Sequence, residues 1–541
     1  MSLSTASDMI SYPFISHLQS PGLVETRHDI GAPWEHTANA TLPLQPPNQL
    51  LLTFHAPPLF IMDMVHHNPG EPLFETSYND PAAVGAAGFN AKAFFLFESP
   101  TLAIRWDGVE EDVFPAGSEP RAWVDNKADV IRQQHQACRA AGLKIYAQTD
   151  MVLLPQALIH ARNLDERFGD PNDPETMELI RIQIRESFAQ FPELDGLIMR
   201  IGETYLHDAP WHLGAIHNKD DVAHTIVPLM RLLRKEVCVQ QDRQLIFRSW
   251  LSFDCDLDDY LTISAAIEPH PNFIISVKHC EDDFHRSNPF SRVIGQGQHP
   301  QLIEVQCSRE YEGKGAYPNY VAADVIDGFE EHRGKGLQIE SIRAFSEQRP
   351  ELFAGIWTWS RGGGWGGPYA ANELWYDLNA WVMAQWARDT HQDEESVFWR
   401  YARERLGLPE DSVPFFRALC LLSGKAIVRM RNTTEGDLDL WWTRDAGIGW
   451  PEYRSDTPDS LRRSLAQKDE AVQIWEHMVS LAEQVQWPDP HLADFALGSV
   501  HYGLGLARIY RAIFYLDAAR RNDDQQAIAA EIERYDAAWA A

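Results

Sequence analysis

"LDGLIMRIGETYLHD", residues 194–208, is the stretch on which the fold turns. A short apolar run, Leu197-Ile198-Met199, passes at once into Arg200, Gly202 and Glu203. A strand that reads as buried and then stops in a cation, a glycine and a carboxylate has two readings. One is a strand meeting an ordinary solvated loop. The other is a barrel strand that delivers a catalytic acid from its C-terminal end, the face on which barrel enzymes carry their chemistry. The rest of the chain decides between them.

Outward from this stretch, similar apolar runs recur at 59–63 (LFIMD), 93–97 (AFFLF), 143–148 (LKIYAQ), 195–200 (DGLIMR), 244–248 (QLIFR), 272–277 (NFIISV), 302–306 (LIEVQ) and 353–358 (FAGIWT). Helical patterns lie between several of them: "KADVIRQQHQACRAA", 127–141, closes on Gly142 as a helix C-cap does, and 221–238 behaves similarly. Strands alternating with helices over this length predict an α/β chain with a (β/α)8 TIM barrel. A doubly wound sheet is the other candidate, but no GxGxxG or GxxxxGK[ST] follows the first strand. After about residue 370 the period is helical throughout, as in "ANELWYDLNAWVMAQWARDT" and "HYGLGLARIYRAIFYLDAARR". The expected organisation is an N-terminal extension over 1–48, a catalytic barrel over 49–370 and an α-helical C-terminal domain over 371–541. The Trp and Tyr stripes of that last domain fit core packing or a homodimer interface.

Composition narrows the partners. A net charge of −31 opposes nucleic acid and anionic membranes, and no apolar stretch reaches the length of a membrane span. The six cysteines are scattered with no CxxC pair, which disfavours a zinc cage and a disulfide framework and suits a reducing, cytoplasmic compartment. The N-terminus lacks the basic region and apolar core of a secretory signal. A chain this acidic that binds an anionic sugar needs cations gathered inside its site.

The strand ends are unusually polar. The first runs into Asp63, His66, His67 and Asn68; the fourth gives Arg200 and Glu203; the fifth gives Arg248 and Trp250. The sixth leads into Lys278, His279, Glu281, Asp282 and Asp283, the seventh into Arg309, Glu310 and Tyr311, and the eighth into "WTWSRGGGWGGPY". In a parallel barrel all of these meet at one mouth. His66 and His67 beside Asp63 could belong to a metal site, but no third ligand at a recognisable spacing supports one, so no metal or other cofactor is expected. The 362–367 glycines lack the Lys and helix start of a phosphate loop. Three carboxylates from three strands, Glu203, Asp283 and Glu310, sit beside three cations, Arg200, Arg248 and Lys278. Carboxylate pairs in unlike surroundings are how glycosidases separate an acid from a base.

These segments resemble the xylan alpha-glucuronidases, glycoside hydrolase family 67, best over about 190–330. "LIMRIGETY" is similar to the family's strand that ends in a cation and leads to the catalytic acid, which places Glu203 in that role. "LIFRSW" is similar to the strand that supplies a substrate-binding arginine, here Arg248. "IISVKHCEDDFHRSNP" matches in register a segment with a lysine and, five residues on, a catalytic aspartate, here Lys278 and Asp283. "IEVQCSREYEGKG" is similar to the segment bearing the second catalytic carboxylate in a Glu-Tyr pair, here Glu310 and Tyr311. The chain departs from the family in three ways. The barrel starts near residue 50 without the family's large N-terminal domain, Arg200 stands where a lysine is expected, and the linker "TYLHDAPWHLG" differs from the family's Gly/Pro-rich loop.

The resemblance implies an inverting hydrolase that removes a terminal alpha-linked uronic acid, glucuronic or 4-O-methylglucuronic acid, from oligosaccharides such as xylan fragments. Glu203 protonates the leaving oxygen, and Asp283 and Glu310 activate a water. Arg200, Arg248 and Lys278 meet the sugar carboxylate. Tyr311, His66 and His67 contact hydroxyls, and Trp357, Trp359 or Trp365 walls the ring. Two other readings remain open: a related barrel glycosidase for a different or neutral sugar, and a non-catalytic carbohydrate-binding relative. A metal-dependent lyase or isomerase using His66 and His67 is more distant.

Overall fold

The computed structural model describes residues 59–66, 75–110, 112–201, 209–214, 216, 221–249, 256–281, 284–307, 313–334, 336–362, 371–431 and 457–540. Its strands, in chain order, are β1 (Phe60–His66), β2 (Ala91–Phe94), β3 (Lys144–Asp150), β4 (Leu153–Pro155), β5 (Gly196–Arg200), β6 (His212–Gly214), β7 (Gln244–Arg248), β8 (Phe273–Lys278), β9 (Gln301–Gln306) and β10 (Phe353–Gly362). Eight of them close a barrel in the order β1-β10-β9-β8-β7-β5-β3-β2, and every neighbouring pair is parallel. Each of the eight apolar runs read from the sequence is one barrel strand, and β4 and β6 add a separate antiparallel ribbon.

Local chemistry explains where the connecting helices begin and end. Helix Glu119–Ala140 starts at Ser118, whose side chain accepts from the Arg121 N–H, with a proline in the first turn. It ends before Gly142, which sits at φ 75° and turns the chain into β3. The stretch 222–240 starts at Asp221, which caps His224 N–H, and is α-helical only at its centre, Val227–Leu233, between two π-helical segments.

Alternation along each strand sends one set of side chains inward and the other toward the helices. Outward-facing Ile145, Leu197, Leu245, Ile275, Ile303 and Ile356 join the large core shared with the helical shell. Inward-facing Met62, Tyr146, Ile198, Ile246, Ile274 and Leu302 form a separate cluster inside the barrel. β10 keeps both Ala354 and Trp357 in that inner cluster only because the register shifts by a bulge at Gly355. Gly355 has φ +127°, and a Cβ there would lie 2.0 Å from Phe60 O, so no other residue fits.

From Leu374 onward the described chain is helical: Leu374–Arg388, Glu394–Arg400, Val413–Arg431, Pro458–Gln484, Pro490–Arg521 and Gln525–Ala540, with short 3-10 and π segments among them. Helix Leu374–Arg388 packs on β10 and β1, and the Trp375 indole N–H donates to Ser499 Oγ at 3.1 Å. Tyr317, beyond β9, meets Trp475 edge-on at 5.7 Å, and the Tyr320 N–H donates to Ser423 Oγ. No helix among the described residues is long and apolar enough to cross a membrane.

Candidate active site

The hydrogen-bond register, taken around the barrel with its stagger, sorts the inward side chains into levels contributed by alternate strands. Toward the N-terminal end lie Met62, Tyr146, Ile246 and Leu302. Above them come Ala93, Ile198, Ser276 and Trp357, then Met64, Gln148, Arg248 and Glu304. Phe95, Arg200, Lys278 and Trp359 follow, and His66, Asp150 and Gln306 stand at the C-terminal end. The interior therefore changes from aliphatic to ionic along the axis. Branched apolar residues are the usual filling of such a barrel, so the upper levels mark a site rather than a core.

Among the described residues, two ion pairs dominate those levels. Arg200 Nε donates to Asp150 Oδ1 at 2.7 Å, linking β5 to β3. Arg248 grips Glu304 from β7 across β8 to β9: Nη2 donates to Oε1 at 2.6 Å and Nε to Oε2 at 2.9 Å. The Arg248 and Glu304 side chains are only 3% and 0% exposed. The Arg248 guanidinium lies 4.9 Å from the Trp359 ring and 5.7 Å from Trp357, which is cation–π range. Lys278 sits 5.6 Å from the Phe284 ring. The His66 ring lies 4.3 Å from Phe95 and 4.7 Å from Trp359. Among the described residues, the buried Gln148 amide and Ser276 hydroxyl find no hydrogen-bond partner, nor do the indole N–H groups of Trp357 and Trp359.

The structure thus brings Arg200, Arg248, Lys278, His66 and Trp359 into the C-terminal half of one barrel, with Trp357 one level below Arg248. Glu203, Asp283, Glu310, Tyr311, His67 and Trp365 lie outside the described residues. By sequence, Glu203 stands three residues beyond the end of β5, Asp283 five beyond β8, Glu310 four beyond β9, and His67 directly after β1.

Some strand-end groups do not join the interior. Asp63 alternates outward with Ile61 and Val65. It accepts from Thr358 Oγ1 at 2.7 Å, and from the Ser360 hydroxyl and N–H. Burial raises its carboxyl to about 6 against the opposing pull of Lys92 and these hydrogen bonds. His279 also faces away, stacked between Phe284 and Phe329. Glu281 is held by Arg292. These three sit one residue out of phase with the inward set or past the strand, and proximity in sequence hides that.

Sequence reading passed over Asp150, Glu304, Gln148 and Gln306. The signal was present: in "LIEVQ" the polar residues alternate with apolar ones, and in "YAQTD" Gln148 and Asp150 share the phase of Tyr146 despite the polar Thr149 between them, the phase that faces inward. Among the described residues no three His, Cys, Asp or Glu side chains are grouped to hold a metal ion.

No family model and no curated protein sequence matches the chain. Among solved structures it is similar to a GH138 enzyme targeting pectin rhamnogalacturonan II, at 12% identity and TM-score 0.50 over 89% of this chain. The chain spans 61% of the length of that protein. A looser likeness, TM-score 0.41 at 10% identity over 88% of both chains, is to a Thermobaculum terrenum O-GlcNAc hydrolase mutant. At such identities the first likeness speaks to architecture alone, and it agrees with the closed parallel barrel and the helical region that follows it: the chain has a (β/α)8 fold with a C-terminal helical region.

Proposed function

We propose that the chain is an inverting glycoside hydrolase that removes a terminal alpha-linked uronic acid from oligosaccharides. The observation that carries this reading is the meeting of Arg200, Arg248 and Lys278 with Trp359 inside the C-terminal half of the barrel, with Trp357 beneath Arg248. Two of the strands that bring them, β5 and β8, and the β9 strand beside β8 lead within five residues to Glu203, Asp283 and Glu310. The resemblance of those segments to the xylan alpha-glucuronidases gives the three carboxylates their roles. A solved neighbour of the same fold is an enzyme targeting a pectin polysaccharide, which agrees with a carbohydrate substrate.

In this reading Glu203 is the general acid and protonates the glycosidic oxygen. Asp283 and Glu310 orient and deprotonate one water on the opposite face of the sugar ring, so the configuration inverts. Trp357 and Trp359 wall the ring, and the cations receive its carboxylate, Arg by its planar fork. No metal or organic cofactor takes part.

A second reading has an observation of its own. Arg200 and Arg248 already hold Asp150 and Glu304, so much of their charge is spent inside the protein. That favours a neutral or differently linked sugar on the same frame. A panel of uronic acid-bearing and neutral oligosaccharides, read by product mass, separates the two. Release of a free uronic acid supports the first, and cleavage of neutral oligosaccharides alone overturns it.

A further inference from the structure

Resting on the glycosidase reading above, we infer that Glu304 is a positioning residue that sets the sugar-charge preference of the site: it fixes Arg248 in one orientation and offsets its charge. The pair lies wholly inside the barrel, with two contacts of good length on the Nε–Nη2 edge. That edge faces β9, and the guanidinium plane is held against Trp359 and Trp357. An arginine gripped along one edge and flanked by two indoles has little rotational freedom. It is a cation of preset orientation at this level of the barrel.

A purely structural pair is the plain alternative, and the energetics weigh against it. Burying two charges costs more desolvation than their attraction returns unless geometry is very good, and apolar replacements of such pairs are often neutral or stabilising. This barrel fills other interior positions with Ile198, Ile246, Ile274 and Leu302. The same level also holds Gln148, fully buried, whose amide oxygen and nitrogen find no partner among the described residues. A level made of an ion pair and an unsatisfied amide is a poor way to stabilise a core and a reasonable way to build the floor of a polar site.

The charge argument gives the direction. With Glu304 ionised, the pair has little net charge toward a ligand. Replacing it by glutamine keeps the shape and one acceptor but removes one negative charge from beside the guanidinium, so an anionic sugar gains relative to its neutral analogue.

The test compares wild type, Glu304→Gln, Glu304→Asp and the double variant Arg248→Met/Glu304→Leu. For each, kcat/KM is measured on 4-nitrophenyl alpha-glucuronide and alpha-glucoside, binding of glucuronic acid and glucose by calorimetry, and Tm. Glu304→Gln raises the glucuronide-to-glucoside ratio roughly tenfold or more. Glu304→Asp, which keeps the charge, returns the ratio toward wild type. The double variant keeps or raises Tm and changes the wild-type ratio. A ratio within about twofold of wild type in Glu304→Gln, with Tm and both activities falling together, overturns the inference. If that variant does not fold, an unchanged ratio in the double variant overturns it equally. If wild type hydrolyses neither glycoside, the glycosidase reading fails on its own. The calorimetric ratio then still decides on Glu304: a shift upholds its role, and no shift, or no binding of either sugar, rejects it.

Discussion

Arg248 shows how a single contact changes what a mutation means. Removing it alone strands Glu304 as an unpaired buried carboxylate, so Arg248→Ala costs about 3–5 kcal/mol of stability by urea denaturation. Arg248→Met/Glu304→Leu, which removes both charges, stays within about 1 kcal/mol of wild type or exceeds it. Activity lost in Arg248→Ala therefore reports folding as well as substrate binding. Asp63, on the outer face of β1 across the barrel, gives a second prediction. Its carboxyl is raised by burial from 3.8 to about 6. A raised folded-state value means the stability it contributes is fully present below pH 3.8 and is lost as pH rises through 6. The change is about 3 kcal/mol. The stability difference between Asp63→Asn and wild type should then grow in the variant's favour by that amount between about pH 4 and pH 7. A difference that stays flat with pH contradicts a buried, protonated Asp63.

At the scale of elements, the strands were legible because each is a short apolar run bounded by polar or glycine-containing segments, and a closed parallel barrel needs every one of them. β4 and β6 were not legible: strands of three residues leave no period to read. Which polar residues face inward was only partly legible. Arg200, Arg248 and Lys278 are strand-terminal cations and stand out, whereas Glu304 and Gln148 lie one or two positions deeper and read as ordinary strand interior. Asp63 and His279 misled because a neighbour in sequence is on the other face of a strand. The bulge at Gly355 was also invisible, since a glycine in a strand announces a bulge without locating the shift. It carries a sharp expectation. Gly355→Ala puts a Cβ against Phe60 O at a φ that only glycine adopts with ease, so it should cost about 3 kcal/mol or more. Intact folding of that variant with unchanged Tm would mean β1 and β10 are not locked in this register.

Across the whole molecule, the net charge of −31 and the ionic interior pull in opposite directions. In the proposed reading, long-range repulsion slows the approach of an anionic sugar, while cations deep in the barrel hold it once inside. Raising ionic strength from about 10 mM to 150 mM shortens the screening length to about 8 Å and should increase kcat/KM on a glucuronide several-fold, with a glucoside little affected. Equal responses of the two substrates would remove charge from the account of recognition. The central claim, inversion at a uronic acid by a barrel whose upper levels are ionic, is tested most directly by a proton NMR time course of an alpha-linked aldouronic oligosaccharide with wild-type enzyme. The account predicts free uronic acid appearing first as the beta anomer, followed by slow mutarotation. Initial release of the alpha anomer, or cleavage that leaves the uronic acid in place, would contradict it.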